Sequence, residues 1–277
     1  MNDTKVALIT GGSSGIGQGI ALVFAENGYD VAITYGSNAA GGEATREQVE
    51  ALGRACRVYQ ASMDDMAVPA ALVDRVHRDF GRLDAMICNA NRDQRNSILT
   101  VTPETIDFMM KTNFASYVLC AGAAGRHMVR DRIEGSIVFI TSTHSMRAYA
   151  DDFLYGGLKA AIMRACQSMA LDLAPYRIRV NCIAPGATRV RPAPPYEPAN
   201  SFEKLVPLGR MGTPRENGEL ALFLCSDKGS YITGASIPVD GGLVLSGPPE
   251  GWAPAYLINP DWTRRHYEQI MKEGEGQ

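Results

Sequence analysis

Tyr155 and Lys159 stand four residues apart in a segment of helix-forming composition, so their side chains share one helix face. A free tyrosine titrates near pH ~10, too high for proton transfer at neutral pH, and lowering it by ~3 units requires about 4 kcal/mol. One lysine charge about 4 Å away, at an effective dielectric of ~20, supplies roughly that amount. Ser142 precedes Tyr155 by thirteen residues and follows the apolar run 136–141. A hydroxyl at a strand end can hydrogen-bond a carbonyl and stabilise a developing alkoxide. Taken alone, a Tyr/Lys pair on a helix is usually surface decoration. With the serine, the pair describes acid–base chemistry at a carbonyl or an alcohol.

A second constellation opens the chain, where Thr10-Gly11-Gly12-Ser13-Ser14-Gly15-Ile16-Gly17 separates a short apolar run from a helix-like segment. Glycines permit a tight turn and let backbone N–H groups approach a pyrophosphate at the helix N-terminus, where the helix dipole favours negative charge. The order strand, glycines, helix is the one a dinucleotide requires. Apolar or β-branched runs at 6–10, 31–35, 58–61, 85–89, 136–141, 178–184 and 236–239 alternate with helix-forming segments at 16–26, 43–52, 69–80, 103–128, 153–174 and 215–226. Such alternation predicts βαβ units, and strands too apolar to face water predict helices on both faces. The expected fold is α/β, a single Rossmann-like doubly wound parallel sheet. Residues 1–245 would form its catalytic domain and 246–277 a C-terminal extension. Pro192, Pro194, Pro195 and Pro198 exclude regular structure from a stretch expected to form a lid loop at about 189–206.

With T-G-x-x-x-G-x-G at residues 10–17 and Y-x-x-x-K at 155–159, the chain resembles the short-form branch of the short-chain dehydrogenase/reductase family. Further matches lie at Cys88-Asn89-Ala90-Asn91, Asn181-Cys182-Ile183-Ala184-Pro185-Gly186, Pro207-Leu208-Gly209-Arg210 and Val239-Asp240-Gly241-Gly242, so the resemblance covers residues 5–245. It implies an NAD(P)-dependent oxidoreductase that interconverts a secondary alcohol and a ketone by hydride transfer. Ser142 would polarise the carbonyl, Tyr155 would transfer the proton, and Lys159 would lower the tyrosine pKa and bind ribose. Asn113 would sit where the family distorts a long helix to hold a water linked to the lysine, although it could be an ordinary helix asparagine. The cofactor would be held by Gly11, Ser13, Ser14, Gly15, Ile16, Gly17, Tyr35, Ser37, Asn38, Ser62, Met63, Asn89, Ala90, Tyr155 and Lys159. Ile183, Pro185, Gly186 and Thr188 would lie on its nicotinamide side. The Y-x-x-x-K spacing argues against the enoyl-reductase branch, whose tyrosine and lysine lie further apart. Substrates compatible with the resemblance are a sugar or polyol, a 3-oxoacyl group or a hydroxysteroid. A nucleotide-sensing protein that lost catalysis is the rival class, and such proteins typically lose the Tyr/Lys pair.

Several positions depart from the family. Ser62 replaces the aspartate expected beside adenine, with Asp64 nearby, and Asn91 replaces a glycine near the expected substrate pocket. Asn91, Thr143 and His144 are the candidate substrate residues; for His144 a satisfied structural histidine is the preferred reading and a pocket role the second. Tyr35 ends the second strand where an acidic residue would select NAD, leaving Ser37 and Asn38 as neutral donors for a 2′-phosphate, so NADP(H) is expected over NAD(H). Trp252, Tyr256, Leu257, Ile258, Trp262 and Tyr267 give the extension a surface that should dock, over the active site or elsewhere.

Composition narrows the partners. With 27 basic against 30 acidic residues and no block of like charge, neither a nucleic acid nor a membrane surface is expected. A small-molecule alcohol or ketone fits, in a cytoplasmic homo-oligomer, tetramer or dimer by the family resemblance. The six cysteines are scattered and read as reduced core residues. No cluster has metal-ligand spacing, so no catalytic metal is expected.

Overall fold

The computed structural model describes residues 4–95, 97–190 and 205–245. Seven strands, β1 (Val6–Ile9), β2 (Asp30–Tyr35), β3 (Cys56–Gln60), β4 (Ala85–Cys88), β5 (Ser136–Ile140), β6 (Arg179–Pro185) and β7 (Ser236–Val239), form one sheet in the order β3-β2-β1-β4-β5-β6-β7. Every neighbouring pair is parallel. Successive residues of a strand point to opposite faces, and β1 shows why none of its residues is polar. Val6 and Leu8 enter a core with Leu72, Tyr117 and Ile162 from the helices α3 (Val68–Phe80), α5 (Ser116–Asp131) and α6 (Phe153–Leu173). Ala7 and Ile9 enter a second core with Ile20 and Phe24 of α1 (Gly15–Glu26) and Leu224 of α7 (Pro214–Cys225). Fully burying each Leu, Ile or Phe of these cores contributes roughly 1.5–3 kcal/mol.

The chain runs outward from β1 through β2 to β3, then returns to place β4 on the other side of β1. Ligands of open α/β sheets bind at such a reversal, outside the carboxyl ends of the strands.

Two helices depart from the boundaries expected from composition. Helix α2 (Ala39–Ala51) starts four residues before the expected 43, because Asn38 caps it by accepting from the Gly41 N–H at 3.0 Å. The segment expected as one helix over 103–128 is three pieces: α4 (Pro103–Met110), a π-helical turn (Lys111–Ala115) and α5. Asn113 lies within this turn, and its side-chain amide binds the backbone N–H and carbonyl of Arg92 at 3.0 Å each.

The six cysteines are free. Among the described residues, no helix is long and apolar enough to cross a membrane, and no group of three or more His, Cys, Asp or Glu side chains could hold a metal ion. The expected extension 246–277 and most of the expected lid, 191–204, lie outside the described residues.

Candidate active site

Thr10 ties the ends of β1 and β4 together. Its hydroxyl oxygen accepts from the N–H groups of Asn89 and Ala90 at 2.9 and 3.0 Å, and the Asn89 amide donates back to the carbonyls of Thr10 and Gly11. Thr34, near the end of β2, accepts from the Gly11 N–H at 2.9 Å. The glycine loop is thus pinned from two strands. Gly17 lies beneath it, where a Cβ would stand 2.3 Å from the Gly11 carbonyl oxygen, so no larger residue fits. Gly15 adopts φ +55°, a left-handed conformation natural to glycine. Ser14, at the N-cap of α1, makes no side-chain capping bond. The first N–H groups of α1 are therefore open to an anion.

Above this loop lies a cleft of about 770 Å³. Its walls contain Gly11, Ser13, Ser14, Gly15 and Ile16 from the loop, Ser37 and Asn38 from the start of α2, and Ser62 and Met63 after β3. Asn89, Ala90 and Asn91, after β4, complete the wall expected from sequence. Asp64, noted beside Ser62 in the sequence, also lines it, and Thr34, Arg92, Phe108 and Val190 were not expected there. Asp64 accepts from the Ser62 hydroxyl at 2.7 Å, so the carboxylate missing at 62 stands two residues on. Tyr35 is outside the cleft and its ring packs beside Gly42, because strand alternation turns it from the face that Thr34 uses. The Asn38 amide is engaged at both ends, accepting from Gly41 and donating to the Ser13 carbonyl at 3.3 Å. Pro185, the last residue of β6, and Gly186 and Thr188 after it are not among the residues that wall this cleft; the Gly186 N–H donates to the Val239 carbonyl and the Thr188 hydroxyl to the Gly186 carbonyl.

The three chemically suggestive side chains meet at the carboxyl end of β5. Ser142 is the extended residue before a one-turn 3₁₀ helix (Thr143–Ser145); its oxygen accepts from the His144 N–H at 3.2 Å, and its hydroxyl also bonds the Tyr155 phenol. Tyr155, 9% exposed, packs with Leu158, Met109 and Phe108, and Phe108 joins it to the cleft. Lys159 is fully buried; its Nζ donates to the Ile140 carbonyl at 2.9 Å and to the Tyr117 hydroxyl at 3.2 Å, and lies 5.6 Å from the centre of the Tyr155 ring.

Electrostatics correct one expectation. Burial pushes the Tyr155 phenol up to about 12, opposed by the Ser142 hydroxyl and reinforced by Asp93 and Asp152. Burial likewise brings Lys159 down to about 7, against small upward contributions from Cys182 and Cys88. Helical spacing sets the distance between phenol and ammonium but not the desolvation of both partners. In the protein alone, desolvation wins.

His144 lies at the same end. Its Nδ1 is 2.9 Å from Asp152 Oδ2, its ring stacks on Tyr149 at 4.3 Å, and it meets Tyr155 edge-on at 5.7 Å. Asp152 is 4% exposed and was missed, as was Tyr149. The only signal for Asp152 was an acidic residue just ahead of α6. Thr143, proposed with His144, is 2% exposed and offers a ligand little surface.

A family model described as Enoyl-(Acyl carrier protein) reductase matches residues 11–244. The 3-oxoacyl-[acyl-carrier-protein] reductase FabG of Chlamydia muridarum is 35% identical over 243 residues, covering 86% of this chain and 97% of its own. The cyclohexanol dehydrogenase of Rhodococcus sp. is 34% identical over 264 residues, covering 87% and 97%. Among solved structures, acetoin dehydrogenase from Enterobacter cloacae superposes with a TM-score of 0.83 at 32% identity, over 91% of this chain and 100% of that one. Matched along this length and at these identities, the chain belongs to the short-chain dehydrogenase/reductase family of oxidoreductases.

Proposed function

We propose that this protein interconverts a secondary alcohol and a ketone, exchanging a hydride with NAD(P)(H) bound in the cleft above the glycine loop. The observation that carries the reading is the meeting of Ser142, Tyr155 and Lys159 at the end of β5, joined through Phe108 to that cleft. The residues fit a dinucleotide. Gly17 clears the space under the loop, and the uncapped N-terminus of α1 offers N–H groups to a pyrophosphate. When bound, the cofactor supplies the carbon that gives or takes the hydride and, oxidised, a positive charge that would lower the Tyr155 pKa. Ser142, whose hydroxyl bonds the Tyr155 phenol in the protein alone, would turn its hydrogen to the substrate oxygen. Tyr155 gives the proton in reduction and takes it in oxidation. Lys159 keeps one ammonium hydrogen that it does not donate to Ile140 or Tyr117, available to a ribose hydroxyl. Asn113 holds the Arg92 backbone beside the cleft rather than meeting substrate. His144, oriented by Asp152, and exposed Asn91 border the substrate end. An apolar groove between α5 and α6, including Val118, Val129, Met169 and Leu173, supports a homo-oligomer.

The names of the relatives support ketone and alcohol chemistry. The test is a panel of ketones, secondary alcohols, polyols and 3-oxoacyl thioesters, followed by the absorbance of the reduced nicotinamide. Cofactor binding without turnover of any of them would favour a nucleotide-sensing protein.

Gly17→Ala should weaken binding of the reduced cofactor at least tenfold, roughly the effect of the ~1.4 kcal/mol or more that displacing the loop costs. Titration of nicotinamide fluorescence measures it, and an unchanged Kd removes the glycine loop from the binding site.

Cofactor preference follows from what surrounds the start of α2. No carboxylate ends β2, so nothing there repels a 2′-phosphate, and Ser37 remains as an exposed donor although Asn38 is engaged. A higher kcat/KM with NADP(H) than with NAD(H) is the expected result. A strong preference for NAD(H) overturns it.

A further inference from the structure

Lys159 is held by a residue that neither the glycine loop nor the Tyr/Lys spacing points to. Tyr117, on α5, is 1% exposed; its hydroxyl accepts from Lys159 Nζ at 3.2 Å and donates to the Ile140 carbonyl at 3.4 Å. The same carbonyl accepts from Nζ at 2.9 Å, closing a triangle of three polar groups. Because the phenolic hydrogen is directed to Ile140, an oxygen lone pair faces the ammonium. The ring contributes as well: Nζ lies 4.8 Å from its centroid, within cation–π range, and Phe139 stacks with the ring at 6.0 Å and 11°. Asn113, one helical turn earlier, has both amide atoms committed to Arg92 and leaves this place to Tyr117.

We infer that Tyr117 is a positioning residue for Lys159, whose hydroxyl and ring together hold the ammonium in its buried site and aim its remaining hydrogen. The inference rests on the alcohol/ketone reading above for its catalytic meaning, but its structural content stands without it. The groups facing Nζ are the Cys88 thiol from β4, the Cys182 thiol from β6, Tyr117 from α5, and Tyr155 from its own helix. Burial keeps Cys88 and Tyr117 protonated; a hydrogen bond with Cys166 and burial do the same for Cys182, and burial does so for Tyr155. All four are neutral at pH 7. The charge on Lys159 therefore depends on acceptors and ring faces, not on a counter-ion.

The test is Tyr117→Phe in the full chain, which removes one oxygen and keeps the ring. Lysine labelled at the ε-carbon reports the titration of Lys159 in cofactor-free protein, with the resonance assigned by its loss in a Lys159 variant. The wild type should titrate at about 7. Losing a hydrogen bond to a charged group should lower that midpoint by on the order of one pH unit. In the enzyme, alcohol oxidation at neutral pH should slow roughly tenfold in kcat with little change in KM, because fewer molecules carry the charge that favours the tyrosinate. If Tyr117→Phe does not fold, Tyr117→Met lacks both the hydroxyl and the ring and should lower the midpoint at least as far. A folded variant whose Lys159 titrates as in the wild type overturns the inference. A downward shift in a protein that turns over no alcohol or ketone upholds it and overturns the proposed function instead.

Discussion

Tyr155→Phe leaves the fold and the cleft intact and lowers turnover by on the order of 10²–10⁴. The substitution deletes one hydroxyl from a ring otherwise held by Leu158, Met109 and Phe108, so packing survives. On the proposed mechanism it removes the proton that reduction must deliver to the alkoxide and the base that oxidation needs. The Ser142 hydroxyl remains, but a serine that donates to the substrate oxygen has no acid behind it to complete the transfer. Cofactor affinity should change less than threefold, roughly, because the glycine loop and the walls at Asn89 and Ala90 are untouched. Parallel measurement of kcat, cofactor Kd and Tm separates these effects. A Phe variant that keeps the wild-type rate shows that Tyr155 is not the proton carrier.

Lys159→Met produces two effects that share a cause. Turnover falls at least about 10²-fold, because a neutral side chain cannot favour the tyrosinate. Stability also changes its dependence on pH. Lys159 titrates at about 7 in the folded protein, against 10.5 as the ordinary value. Below about pH 7 both the folded and unfolded chains carry the proton, and the cost of burying the charge is constant. Between about 7 and 10 the unfolded chain holds a proton that the folded one has released, so the stability of the wild type rises with pH, by up to about 1.4 kcal/mol per unit from this group. Above about 10, tyrosine in the unfolded chain ionises while Tyr155, raised to about 12, keeps its proton in the folded one, and this difference turns the slope downward. Melting temperatures across this range should climb in the wild type and climb less in Lys159→Met. Equal slopes would mean that Lys159 is not buried as an ionisable group.

Much of the site could be read in sequence because it is written locally. Thr10 to Gly17 join a strand to a helix in one unbroken segment, and Tyr155 and Lys159 are one helical turn apart. Local geometry alone decides that the glycines share a turn and that the phenol and ammonium share a face. Tyr35 shows the limit: its position at the end of β2 was correct, but the pleat sends its ring against α2 and leaves Thr34 to reach the loop. Asn38 was read as a free donor and is instead a helix cap, a role set by where α2 begins.

The alternating apolar runs, the glycine loop and the Tyr/Lys spacing determined the parallel sheet, the family and the three residues of the candidate chemistry. Tertiary structure alone decided what surrounds them. Tyr117 lies 42 positions from Lys159 and Asn113 lies 21 from Arg92, and in each pair a contact exists only after strands and helices have packed. Burial then decided the protonation of the site: the same packing that aligns Tyr155 with Lys159 strips water from both, and the loss of hydration is the largest influence on each. Spacing along a helix carries distance, but desolvation depends on every neighbour in space.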